Sequence, residues 1–218
     1  TYGRMGVTFD KVYFESETYQ YGRKIVLEAL DQSILEERSD GAIFCNLEEE
    51  DLGHKIVLRS DGTSVYVTQD LGTTAIKQHD YAPDHQIWVV GDEQKHHFRV
   101  LFAILNKLGY PWSENLTHMP YGMIDLPSGK MKSREGTVVD ADDLFNEMAD
   151  LARKETRERT PGEDPTDLEQ RAEMIGMAAI KFMLLSAKPT TRLTFDPDKA
   201  VRFEGDTGPY VQYAYARI

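Results

Sequence analysis

The sequence predicts an α/β fold built around a parallel, doubly wound sheet, and three stretches carry that reading. Residues 86–90 (QIWVV) are a near-continuous apolar run of strand length closed by Gly91, the pattern of a strand buried on both faces. Residues 93–108 (EQKHHFRVLFAILNKL) place Phe98, Leu101, Phe102, Leu105 and Leu108 at helical spacing, and Gly109 stops the helix. Upstream, residues 65–69 (VYVTQ) are β-branched and aromatic and read as another strand. Asp70 then starts or caps a short helix over LGTTAIKQHDY. Strand, helix, strand and helix with short joints make a parallel sheet. Such sheets bind ligands beyond the carboxyl ends of their strands, which places Asp70 and residues 91–94 where a ligand would sit.

The flanks differ from this centre. Residues 23–37 predict a helix, residues 41–46 and 55–59 predict strands, and LEEEDLG between those strands is an acidic loop. From Asp140 onward the chain turns helical. DADDLFNEMADLARKETRER begins with acids and ends with cations, as a helix dipole favours. TPGEDPTD breaks it with two prolines. Residues 168–186 predict a second helix, and residues 208–218 (GPYVQYAYARI) a third.

Composition narrows the function. The 218 residues carry a formal charge of -12, with 40% hydrophobic and 28% charged residues. A packed core is within reach, and an acidic chain is a poor general coat for nucleic acid. A single cysteine, Cys45, excludes an internal disulfide framework and fits a small buried residue. No stretch approaches the ~18 consecutive apolar residues of a membrane span. The chain opens on Thr1, which suggests a piece of something longer. Against the acidic background, residues 128–139 (SGKMKSREGTVV) stand out. Lys130, Lys132 and Arg134 fall within five residues, between Gly129 and Gly136. A basic loop flanked by glycines near the end of a parallel sheet suits a phosphate, with lysines as mobile point charges. The G-x-x-x-x-G-K-[ST] pattern is absent, so it is not a Walker loop. The bland alternative is a solvated surface loop.

GKMKSREG resembles the KMSKS loop of class I aminoacyl-tRNA synthetases, in the divergent form of the arginyl-tRNA synthetase family. FESE (14–17), SDGTSVYVTQDLGTTAIK (60–77), VVGDEQKHHFRVLFAILNKLGY (89–110) and FEGDTGPYVQYAYARI (203–218) are similar to that family in order and spacing. The resemblance covers nearly the whole chain. It implies part of a Rossmann-like class I synthetase catalytic domain with a parallel sheet, an insertion and a following helical stem. The implied division is residues 1–62 as connecting insertion, 63–139 as the second part of the nucleotide-binding fold with the KMSKS-like loop, and 140–218 as a stem leading to an anticodon-binding domain. The family's HIGH motif is not in this sequence, so a central catalytic fragment, inactive alone, is expected.

The implied activity is arginine activation with ATP and transfer to tRNA(Arg). ATP enters as a substrate accompanied by Mg2+, with no tightly bound cofactor, no protein metal site and no membrane partner. The resemblance also implies a cytoplasmic enzyme, monomeric at full length. It places Tyr66, Asp70 and Gln94 in an arginine pocket and Gly91, His97, Met123, Lys130 and Met131 around ATP. Lys130 and Met131 match the first two KMSKS positions, whereas Lys132 stands at the serine and Ser133 at the second lysine. Adenylation builds negative charge on the leaving pyrophosphate, so Lys130, assisted by Lys132, is the catalytic candidate. A guanidinium calls for a carboxylate in bidentate geometry, which Asp70 supplies. Without the resemblance Asp70 reads as a helix N-cap, Tyr66 as a core aromatic and Gln94 as a first-turn helix residue. His97 reads equally as a helix-surface residue, and Tyr210, Tyr213 and Tyr215 either stack on RNA or pack on a neighbouring domain. Two alternatives stay open: another class I adenylating synthetase, and a non-catalytic module that binds tRNA or protein.

Overall fold

The computed structural model describes every residue except Leu126, residues 128–139 and Glu163. The basic loop, with Lys130, Met131 and Lys132, therefore lies outside the described residues. The chain divides into two compact units, one of residues 10–120 and one of residues 1–9 with 121–218.

In the first unit, helix α2 (Glu15–Asp31) follows the short α1 (Tyr2–Met5) of the other unit. The helix expected over 23–37 thus begins and ends earlier. Glu15 and Glu17 favour its N-terminus, and Ser33 with φ 59° turns the chain away after its end. Strands β1 (Glu36–Glu37), β2 (Ile43–Leu47) and β3 (Gly53–Leu58) form an antiparallel sheet in the order β1-β2-β3, with Cys45 opposite Lys55. Cys45 is fully buried, and burial pushes its thiol up to about 11, which suits a packed residue rather than a nucleophile.

Helix α3 spans Tyr66–Tyr81. Residues 65–69 are therefore its N-cap and first turn, not a strand. The β-branched run expresses a local preference that tertiary contacts override. Thr68 is fully buried, and its hydroxyl donates to the Val57 carbonyl of β3 while accepting from the Val65 amide at 3.4 Å. Gly72 sets the distance to α2. A Cβ there would stand 2.5 Å from both the Gly22 nitrogen and the Thr18 carbonyl oxygen, and one at Gly22 would meet the Thr68 carbonyl oxygen at 1.8 Å. Two glycines let these backbones touch, and the Thr73 hydroxyl donates to that of Thr18 at 3.0 Å beside them.

Strand β4 (Gln86–Gly91) lies where expected and neighbours β5 (Leu116–Tyr121). A 3-10 turn (Asp92–Gln94) leads into α4 (Lys95–Lys107), and Gly109 in the left-handed region ends it. β4 is not buried on both faces: Gln86, Trp88 and Val90 face inward, whereas Ile87 and Val89 are 62% and 61% exposed. The continuous apolar run hid a period of two. One core joins Val26, Leu47, Val57, Leu71, Leu101, Ile104 and Leu105, with Trp88 and Val90 against it.

In the second unit, β6 (Ile124–Asp125) pairs in parallel with β7 (Leu193–Thr194). Helices α5 (Ala141–Arg159) and α6 (Pro165–Leu185) follow the expected pattern. Asp140 accepts the Asp142 amide at 2.9 Å and Asp164 that of Thr166 at 2.8 Å, so each helix starts on an aspartate cap. They touch at Gly176, where a Cβ would stand 2.9 Å from Met148 backbone. After α7 (Pro197–Ala200), Thr207 caps α8 (Gly208–Ala216). Arg4 ties the N-terminal segment to α6 by two bonds to Glu173, at 2.9 and 3.0 Å. The fold is α/β, with antiparallel and parallel strand pairs and a helical C-terminal half. Among the described residues no helix is long and apolar enough to cross a membrane.

Candidate functional site

The 10–120 unit carries a pocket of about 350 Å³ lined by Tyr66, Asp70, Trp88, Val90, Gln94, His97 and Phe98. Three elements bring these side chains together. Tyr66 and Asp70 are four residues apart on α3, hence on one face. Trp88 and Val90 are two apart on the inward face of β4. Gln94 closes the 3-10 turn as the N-cap of α4, and His97 and Phe98 lie on its first turn.

The pocket is polar at one wall and aromatic at the other. His97 Nε2 lies 2.6 Å from Asp70 Oδ2. Phe98 sits edge-on to His97 at 5.4 Å and stacks on His118 at 4.4 Å, whose Nε2 is 3.0 Å from the Val90 carbonyl oxygen. Outside the aromatic wall, the Lys77 ammonium lies 4.1 Å from the Trp88 ring centroid and 5.8 Å from that of Tyr13. Burial pulls the Lys77 pKa down, and the Asp70 charge pulls it back up. Lys77 thus holds Trp88 from behind and contributes a positive field near Asp70.

Of the arginine-pocket expectations, Tyr66, Asp70 and Gln94 converge here. The bland readings of two of them do not hold. Asp70 is not a cap, because Val65 occupies that position and Asp70 sits in the second turn, nor does it follow a strand. Tyr66 is 76% exposed and is no core aromatic. Gln94 is at the helix start and makes no side-chain cap bond.

The residues expected around ATP are placed differently. His97 faces Asp70 in this same pocket, whereas Gly91 ends β4 beside Val90 and does not line it. Met123 belongs to the other unit, between β5 and β6, where its carbonyl accepts the Leu193 amide at 3.1 Å. Sequence reasoning missed Trp88, Phe98 and Lys77. Trp88 had no local signal, because the apolar run QIWVV hides the alternation that the fold reveals along β4. Lys77 lies seven residues after Asp70, hence on the same face of α3, but its contact with Trp88 shows only in the fold.

Comparison with known proteins defines first the class and then the family. A family model described as "tRNA synthetases class I (R), catalytic domain" matches residues 1–197, and this α/β chain belongs to that family. Its curated relatives are arginine–tRNA ligases. The one from Bacteroides thetaiotaomicron is 46% identical over all of this chain and 37% of its own length, and the one from Amoebophilus asiaticus is 47% identical with the same coverage. The solved Thermus thermophilus arginyl-tRNA synthetase superposes with a TM-score of 0.80 at 25% identity, covering 99% of this chain and 42% of that one. The Plasmodium falciparum arginyl-tRNA synthetase shares the fold, with a TM-score of 0.78 at 23% identity. The chain spans a little over a third of the length of the curated relatives it matches.

Proposed function

We propose that this chain carries the arginine pocket and the KMSKS-type loop of an arginine–tRNA ligase. That enzyme joins arginine to the AMP moiety of ATP as arginyl-adenylate, releasing pyrophosphate, and then transfers the arginyl group to tRNA(Arg) with release of AMP. The observation that carries the reading is the convergence of Tyr66 and Asp70 from α3 and Gln94 from the turn before α4 on one pocket, within a chain of this family. Among the described residues, Asp70 is the one carboxylate lining that pocket. A guanidinium there takes parallel bonds to a planar acceptor, Gln94 supplies both a donor and an acceptor, and Tyr66 covers the ligand with its exposed ring.

In the reaction the arginine carboxylate attacks the α-phosphorus of ATP and pyrophosphate leaves, with Mg2+ entering on the ATP as part of the substrate. Lys130 meets the charge that grows on the leaving group, and Lys132 assists. No covalent enzyme intermediate is needed, because positioning and electrostatics suffice. The division into insertion (1–62), nucleotide-binding part (63–139) and helical stem (140–218) belongs to the same reading, as do a cytoplasmic location and a monomeric full-length enzyme.

The test is Asp70→Asn in the full-length protein carrying this sequence. The amide keeps size and shape but loses the charge and one acceptor. Arginine affinity should fall by several kcal/mol, on the scale of ~2–5 for unpairing a buried charge, at an unchanged melting temperature. Unchanged affinity with an intact fold overturns the assignment and favours a different class I substrate.

A further inference from the structure

The Asp70–His97 pair has a consequence beyond holding two side chains in place. A carboxylate can only accept hydrogen bonds, so the proton between Asp70 Oδ2 and His97 Nε2, 2.6 Å apart, sits on the imidazole nitrogen. With Nε2 protonated, the ring is neutral as long as Nδ1 carries no proton. Adding one makes an imidazolium without disturbing the bond to Asp70. The pocket then offers a ligand a neutral ion pair in place of a free negative charge. A guanidinium entering it would share one carboxylate with a second cation at contact distance, a repulsion that the half-buried site screens poorly.

We infer that arginine binding in this pocket is coupled to loss of a proton from His97, so that His97 positions the Asp70 carboxylate for a cationic side chain and competes with that side chain when protonated. This rests on the reading of the pocket as arginine's own, and it gives His97 a role toward arginine rather than toward ATP.

Other charged groups surround the pair. From α3, Lys77 lies within electrostatic reach of Asp70, and Tyr66 shares its face. From α4, His96 turns away to Lys55 Nζ at 3.2 Å, and Arg99 is exposed. From β5, His118 stacks on Phe98 and is paired with the Val90 carbonyl. Among the histidines, His97 is the one hydrogen-bonded to Asp70. The sign follows by linkage. With Nδ1 of His97 also protonated, binding must expel that proton and weakens by up to about tenfold per pH unit, and once the ring is neutral affinity reaches a plateau.

The experiment is titration calorimetry of L-arginine into the full-length protein carrying this sequence, from pH 5.5 to 8.0, in buffers of different ionisation enthalpy. The parent, His97→Gln and Asp70→Asn are compared. The parent should release up to about one proton on binding at the acid end and lose affinity there as stated. His97→Gln keeps an N–H donor but does not titrate, so its affinity should be flat to within about twofold, with no proton release. A flat parent profile overturns the coupling, and this arm needs no variant to fold. A slope that persists in His97→Gln assigns the proton to another group and overturns it equally. Asp70→Asn separates the two claims: if it leaves arginine affinity untouched, the arginine pocket itself falls, whereas a lost affinity beside a flat parent profile removes only the role of His97.

Discussion

The helix pairs α2–α3 and α5–α6, one in each unit, are held by different means. In residues 10–120, α3 is locked against α2 by backbone contact at Gly22 and Gly72, and against β3 by the buried Thr68 hydroxyl. In the other unit α5 and α6 meet at one looser glycine, Gly176, and at small buried residues such as Ala149, Ala152 and Ala172. Their polar ties run along the surface: Arg4 to Glu173, and Arg153 to Glu169 with Asp150. The first arrangement fixes a helix in depth and rotation, and the second mainly fixes its distance. The rigid kind occurs under the helix that carries Tyr66 and Asp70, and again where a Cβ at Gly208 of α8 would stand 2.2 Å from the Ala178 carbonyl oxygen of α6. In the role proposed for it, the Asp70 carboxylate has to stand within a fraction of an ångström of its place, and a backbone-to-backbone crossing leaves α3 no room to shift.

Gly72→Ala should break this comparison most severely. The new methyl meets backbone at 2.5 Å on two sides, and backbone cannot swing aside. Overpacking of ~3 kcal/mol outweighs the ~1 kcal/mol that alanine gains in a helix. A thermal melt should fall by roughly 4–8 °C, and arginine affinity should fall with it as α3 shifts. An unchanged melt would mean that the α2–α3 crossing is looser than described.

Gly176→Ala tests the other side of the comparison. Its clash is at 2.9 Å, and the same helix-propensity gain offsets much of it. A net loss of about 1 kcal/mol or less is expected, with arginine binding untouched. A larger loss than for Gly72→Ala would reverse the argument.

Arg153→Ala removes the fork on Glu169 and the bond to Asp150. These partners are exposed, and solvent screens them. The melting temperature should move by less than about 3 °C, and less still in high salt. A salt-insensitive drop beyond that would show the pair to be structural.

The smallest effect concerns the segment before α2, where Lys11 and Tyr13 reach Asp80 near the end of α3. The Lys11 bond, then those from Tyr13 and His79, hold the Asp80 carboxyl down to about 2, below its ordinary 3.8. A depressed carboxylate contributes stability above its unfolded value and loses it as pH falls through the folded one. The protection factors of the amides in residues 10–14, with the intrinsic pH dependence of exchange divided out, should therefore be steady above pH 4 and fall toward pH 2. An Asp80→Asn variant should show the lower protection throughout, converging with the parent only toward pH 2, and equal protection of the two proteins above pH 4 would detach this segment from Asp80.

What could be read from the chain alone was whatever depends on neighbours a few residues apart. α4, α5, α6 and α8 announce themselves through apolar spacing, aspartate or threonine caps and terminal glycines, because helix hydrogen bonds and caps close within four residues. β4 was legible as a strand for the same reason, and Tyr66, Asp70 and Gln94 were named together through the resemblance to a family, without Trp88, Val90 and Phe98. Tertiary structure alone decided the rest. Residues 65–69 prefer a strand locally and become a helix start because Thr68 bonds to β3 and Gly72 must meet Gly22, partners 11 and 50 residues away. The outward face of β4 and the bond between Asp70 and His97, 27 residues apart, likewise depend on contacts that no local window contains. Propensity is worth tenths of a kcal/mol per residue, while a buried hydrogen bond or a backbone crossing is worth about one or more, so where the two conflict the long-range contact prevails.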